Sequence, residues 1–191
     1  MAFKLVMIDP GHGGADPGAV NADLGMRESL LVLGYAAMIH AELMAQGWNA
    51  DLTRASDQTV SLRERVEIAR AAKADLFLSI HANSAENPEA SGFEVWTSVG
   101  NTRADRYATS IFNEIAEEFP KLKRRVDLND GDPDRERDYF VLKKTPMPAV
   151  LIEVGFICNK DEALWLASDK TIRRYSTAIA RGVMKAGEKN G

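Results

Sequence analysis

A chain of 191 residues, 45% hydrophobic and 27% charged, is long enough to bury a core as a single globular domain without disulfide or metal staples. Its formal net charge of -4 excludes a strongly basic nucleic-acid surface. A single cysteine, Cys158, excludes an internal disulfide framework and a cysteine-built zinc site, and its apolar neighbours predict a buried structural thiol.

Phe3, Leu5, Val6, Met7 and Ile8 predict a first strand, stopped by Asp9-Pro10-Gly11. The apolar start before Asp9 is too short for the core of a signal peptide. No later run approaches the roughly 18 apolar residues of a membrane-spanning helix, so neither an export signal nor a membrane span is expected. His12 then sits in a glycine-rich turn at a strand's carboxyl end, where open α/β sheets build their sites.

A polar loop from Ala15 to Gly25 leads into a long helix from about Arg27 to Gln46, closed by Gly47. Its apolar face is expected at Leu30, Leu31, Leu33, Ala37, Met38, Ala41 and Met44, and His40 is a packing or surface histidine. Trp48 to Thr53 alternates as a second strand. Ser61 opens a second helix with Glu64 as capping-box partner; Leu62, Val66, Ala69 and Ala72 line its inner face, and Arg63, Glu64, Arg65 and Arg70 fill the rest.

Leu76 to Ile80 is the apolar run of a central parallel strand, ending at His81. Gly92 to Thr97 alternates as a fourth strand at a sheet edge, and Arg103 to Glu118 is an amphipathic helix. Between Phe119 and Asp138, Lys121, Lys123, Arg124 and Arg125 meet Asp127, Asp130, Asp132 and Asp134, which reads as a solvated loop rather than a cleft wall. Pro148 to Ile152 is the last buried strand, ending at Glu153, and a helix from about Lys170 to Ala186 carries Ile172, Tyr175, Ile179 and Val183 on one stripe. Alternating strands and helices predict an α/β fold: one domain over 1–191, with a twisted, mostly parallel sheet flanked by helices on both faces.

His12, His81 and Glu153 each follow a buried-looking strand. Two imidazoles and a carboxylate are a common ligand set for catalytic zinc. Glu28, at the start of the first helix, is the natural third ligand, with Asp23 and the more remote Asp16 as alternatives. Glu153 is then free to accept a proton from an activated water and pass it to a leaving amine, which amounts to metal-assisted hydrolysis of an amide or ester. The donor set alone is equally that of a zinc peptidase.

Asp9-Pro10-Gly11-His12-Gly13-Gly14, Arg27-Glu28, Thr53-Arg54, Leu62-Arg63-Glu64-Arg65, Ser79-Ile80-His81-Ala82-Asn83 and Met147 to Phe156 occur in order. Together they resemble the zinc-dependent N-acetylmuramoyl-L-alanine amidases of the type 3 family, found among bacterial cell-wall enzymes and phage endolysins. The resemblance covers nearly the whole chain. It implies one zinc ion held by His12, Glu28 and His81, at the carboxyl ends of the strands, with Glu153 as the catalytic acid/base. It also implies the substrate, the amide between N-acetylmuramic acid and L-alanine in peptidoglycan, and action on the extracytoplasmic wall.

Asn83 either orients its loop or touches substrate, and Arg54 braces a loop or pairs with a carboxylate. Val126 to Asp138 is longer than the family's usual connection, whereas Asn83 to Gly92 is too short for the blocking helix of regulated relatives. An unblocked lytic enzyme, such as a phage endolysin, is therefore expected, acting as a monomer and without a nucleic-acid partner.

Overall fold

Helices flank both faces of a six-stranded sheet in residues 5–129 and 131–188, the part of the chain that this computed structural model describes. Phe3 of the expected first strand and Asp130 of the charged segment lie outside the described residues. In chain order the elements are β1 (Leu5–Pro10), β2 (Val20–Asn21), β3 (Met26–Arg27), α1 (Glu28–Ala45), β4 (Asn49–Leu52), α2 (Leu62–Ala71) and β5 (Leu76–Asn83). There follow β6 (Glu94–Thr97), α3 (Asp105–Glu118), β7 (Arg135–Glu136), α4 (Phe140–Lys144), β8 (Ala149–Phe156), α5 (Lys160–Leu166) and α6 (Asp169–Glu188).

The sheet order is β4-β1-β5-β8-β6-β7, and β2 and β3 form a separate small hairpin. β4, β1, β5 and β8 run parallel, which the α1 and α2 crossovers allow; β6 lies antiparallel to β8, and β7 runs parallel to β6. The expected mostly parallel α/β sheet is present.

Side chains alternate across each strand, so the two faces collect different residues. On one face Val6, Ile8, Leu78, Ile80, Val150 and Ile152 join Tyr35 and Ile39 of α1, Ile111 of α3 and Ile179 of α6 in the larger core. On the other, Met7, Phe77, Trp96 and Leu151 form a smaller cluster with Val66 and Ala69 of α2 and Val141 and Leu142 of α4. The strand period of two assigns Asp9, Ser79, His81, Glu94 and Glu153 to this second, thinly covered face.

Several boundaries and faces differ from expectation. β1 continues through Asp9 and Pro10, β5 through Asn83 and β8 through Phe156, so His81 and Glu153 lie within strands rather than beyond them. β6 is not an edge strand, because β7 pairs outside it, and all four of its residues are buried instead of alternating. The stripe expected on α1 is rotated: Leu30 and Met44 are exposed, while Leu31, Val32, Tyr35, Ala36, Ile39 and Leu43 face the core. Ser61 and Glu64 form the expected capping box, but Leu62 and Ala72 are exposed and Arg65 is buried. Cys158 is half-buried, its Sγ accepting the Ala85 N–H at 3.3 Å.

By length and composition α1 is, contrary to expectation, apolar enough to cross a membrane. Its Tyr35, Ile39 and Leu43 are fully buried in the larger core, as befits the central helix of a globular fold.

Candidate metal centre

The turn after β1 is held from below by two buried arginines. His12 itself adopts a left-handed backbone, φ 58°, and Gly13 and Gly14 follow at φ 125° and 61°. Such a strained run persists only where its surroundings fix it. Arg54, 1% exposed, donates to the carbonyls of Pro10 (2.9 Å), Gly11 (2.7 Å), Ser29 (2.8 Å) and Ser56 (3.0 Å). It is a brace, the role its sequence context suggested. Arg65 bonds the Asp9 carboxylate and the carbonyls of Pro10 and His12, and Asp9 also accepts from Thr53 and Ser79. This full set of partners is what a buried ion pair needs to be tolerated.

Above the brace, His12, Glu28 and His81 converge. Glu28 Oε1 lies 3.2 Å from His12 Nε2 and 3.0 Å from His81 Nδ1, and one ligand atom from each residue lies within 4.8 Å of the others. The imidazoles meet edge to face, centroids 5.0 Å apart at 83°. Asp16 Oδ2 sits 2.8 Å from His12 Nδ1 and so turns Nε2 inward. Glu28 is aimed by the Ala19 N–H on Oε2 (2.8 Å) and the Ala82 N–H on Oε1 (3.0 Å).

Two glycines provide clearance. A Cβ on Gly11 would lie 2.2 Å from His81 Cε1, and one on Gly18 would lie 2.5 Å from Glu28 Oε2 and 2.7 Å from His12 Cδ2. Of the acids weighed as third ligand, Glu28 faces both imidazoles, Asp16 stands behind His12, and Asp23 is exposed outside the cluster.

The electrostatics of the trio fit a cation site. Burial lowers the His12 imidazole, but Glu28 and Asp16 outweigh it and raise it to about 9. Burial likewise opposes the charged His81, yet Glu28 and Glu153 raise it. Against its own burial, Glu28 is held far below the usual carboxylate range by the two histidines. Two ring nitrogens and a carboxylate oxygen thus share one small space and draw positive charge into it. This is the donor set of a three-ligand zinc site.

Glu153 lies beside His81 in the β5–β8 register. Its Oε2 is buried without a hydrogen-bond partner among the described residues, and burial, with Glu28 and Glu94 adding to it against His81, pushes the carboxyl up to about 7. Asn83 accepts the Ser84 N–H on Oδ1, and its carbonyl accepts the Ile157 N–H, tying the ends of β5 and β8 together. A cavity of 370 Å³ beside His12 and His81 is walled by Val60, Leu62 and Val141, which gives the exposed Leu62 a place in the site.

Glu94, not singled out in the sequence, lies opposite Glu153 on β6 and is 2% exposed. It accepts from Arg125 Nε (2.5 Å), Arg135 (3.3 Å) and Trp96 Nε1 (3.0 Å). The charged segment is therefore not simply solvated, because two of its arginines reach a buried acid beside Glu153. An acid inside an otherwise apolar strand was the signal available for Glu94.

The family model of N-acetylmuramoyl-L-alanine amidases matches residues 6–185. AmiA of Salmonella typhimurium, an N-acetylmuramoyl-L-alanine amidase, is 32% identical over 95% of this chain and 75% of its own length. The endolysin of Bacillus phage SPP1 is 36% identical over 94% of this chain and 65% of its own. The solved structure of the N-acetylmuramoyl-L-alanine amidase AmiC2 of Nostoc punctiforme superposes with a TM-score of 0.86 at 36% identity, covering 97% of both chains. With the family model spanning residues 6–185 and its fold and nearly its whole length shared with these relatives, the chain belongs to the N-acetylmuramoyl-L-alanine amidase family.

Proposed function

We propose that this protein hydrolyses the amide between the lactyl group of N-acetylmuramic acid and L-alanine in peptidoglycan, releasing stem peptides from glycan strands. The reading is carried by the convergence of His12, Glu28 and His81 within 4.8 Å, with Glu153 on the neighbouring strand. These three residues would hold one zinc ion, which when bound polarises the scissile carbonyl and acidifies water.

Glu153 supplies the proton traffic. With its carboxyl near 7, Oε2 can take a proton from the attacking water and deliver it to the departing alanine nitrogen at neutral pH. Asp16 keeps His12 Nε2 pointed at the centre, and the Ala19 and Ala82 amides keep the Glu28 carboxylate fixed. Asn83, at the end of β5 two residues past His81, positions substrate.

No helix stands between β5 and β6 among the described residues, so that connection carries no blocking helix. This supports an unblocked lytic enzyme acting on the extracytoplasmic wall, in keeping with the similarity to a phage endolysin.

Digestion of purified peptidoglycan, with products identified by mass spectrometry, tests the reading. Wild type is expected to produce glycan strands with free lactyl carboxylates and stem peptides with free L-alanine amines. Glu153→Gln is expected to lose about 10²–10⁴-fold in rate. Absence of those products, or a variant as fast as wild type, would overturn it.

A further inference from the structure

Charge is distributed unevenly across the thin face of the sheet. At the His12 end the cavity wall includes the apolar Val60, Leu62 and Val141, and of its charged members Arg65 is paired with Asp9 while Asp16 faces His12. Past β5 and β8, at the β6–β7 end, stand Arg125 and Arg135, both turned toward the Glu94 carboxylate. Two guanidiniums on one buried carboxylate leave a formal surplus of one positive charge next to Glu153.

Neutralising Glu94 does not require both arginines. Arg125 Nε already makes a short bond to Oε1, and Trp96 holds Oε2. Arg135 reaches the same Oε1 only at 3.3 Å. Each guanidinium also lies over an aromatic ring, Arg125 Cζ 4.9 Å from the Phe156 centroid and Arg135 Cζ 4.6 Å from the Trp96 centroid. Glu162, the other acid whose charge Arg125 feels, is occupied by the N–H groups of Gly92 and Phe156.

The two side chains nevertheless remain 31% and 34% exposed, while Glu94 beneath them is 3% exposed. Each guanidinium carries five N–H donors in a planar fork, of which Glu94 takes one. Partly exposed guanidiniums held over rings, with donors that Glu94 does not take, are suited to an incoming carboxylate.

We infer that Arg125 and Arg135 form a binding site for a stem-peptide carboxylate close to the scissile amide, on the Glu153 side of the metal centre. The inference rests on the amidase reading and adds to it a direction: the peptide lies over β8 and β6, toward the arginines. It also adds a preference for stems whose residue after L-alanine carries a carboxylate over those in which that group is an amide.

The test compares kcat/KM for two N-acetylmuramoyl tetrapeptides that differ only in having D-glutamate or D-isoglutamine after L-alanine. Wild type is expected to prefer the carboxylate by about tenfold or more, the worth of a charge-assisted hydrogen bond. Arg135→Gln should erode that preference through KM for the carboxylate substrate, leaving the amide substrate within about threefold, well under one such bond. Arg135→Lys keeps the charge above Glu94 and should restore part of the preference, and it serves if a glutamine variant does not fold.

Equal hydrolysis of both substrates by wild type would overturn the inference and leave the amidase reading standing. So would variants that slow both substrates in the same proportion, the mark of a structural role. Hydrolysis of neither by wild type would overturn both.

Discussion

The two faces of the sheet are made from the same strands but perform different work. Toward α1, α3 and α6, β1, β5 and β8 present Val6, Ile8, Leu78, Ile80, Val150 and Ile152, all essentially inaccessible to water. Toward α2 and α4, the intervening positions begin apolar, with Met7, Phe77 and Leu151, and turn polar at the carboxyl ends, with Asp9, Ser79, His81 and Glu153. A period of two thus separates stability from chemistry residue by residue. The thin cover on the second face leaves room for a bulky substrate, and the thick cover on the first carries most of the apolar burial that offsets chain entropy.

If the separation is real, damage on one face should spare the other. The largest effect is expected from Gly11→Ala, whose Cβ would lie 2.2 Å from His81 Cε1 and must displace that ring. Activity should fall by about 100-fold or more, the scale of an ångström's misplacement, and zinc content measured by mass spectrometry should drop below one per chain. Circular dichroism should still show a folded protein. Full activity with full zinc would mean that the imidazole is not held where the glycine leaves room.

Ile39→Ala attacks the opposite face. Ile39 is fully buried in the larger core, and truncation should cost about 2–5 kcal/mol in urea denaturation. Zinc content and kcat well below the melting range should be unchanged. A parallel loss of metal would show the two faces to be coupled.

The smallest effect is expected at the far edge of the sheet. Burial first, then Asp132 and Asp105, against a hydrogen bond from Thr97, push Asp134 up to about 8. A folded-state value above the ordinary 3.8 means that ionisation opposes folding. The contribution to stability is intact below about pH 4 and is lost as pH rises through about 8. Asp134→Asn should therefore gain on wild type progressively across that interval in pH-dependent denaturation, while the site is untouched. A stability difference independent of pH would contradict the assignment.

What the sequence reveals follows the same division. Ser61 with Glu64 three residues on is a local signal, and the capping box forms as read. The glycine turn and the two histidines were legible because glycine clearance and imidazole ligands leave few alternatives. The inward face of α1 was not, because Leu30, Leu31, Leu33, Met38 and Met44 make the helix apolar on every side. Tertiary packing, absent from the string, chose Tyr35, Ile39 and Leu43.

Arg65 resembled a solvent residue for the same reason. Its guanidinium finds Asp9 and the His12 carbonyl only when α2 docks against β1. The roles of Arg125 and Arg135 also depend on a distant partner, Glu94, 31 and 41 residues away, which no local pattern announces.

Arg54 and Arg65 have a consequence for how metal loading and folding relate. The carbonyls around His12, the left-handed turn and the Glu28 carboxylate are all tied down by bonds within the polypeptide. In small zinc modules the ion's binding energy is the folding energy, and the two equilibria are one. Here the bonds within the polypeptide predict that they are separate, and that the ion can be stripped and returned without unfolding and refolding the chain. The supply of metal then controls whether the enzyme works, whereas the lifetime of the protein is set elsewhere, on the other side of the sheet.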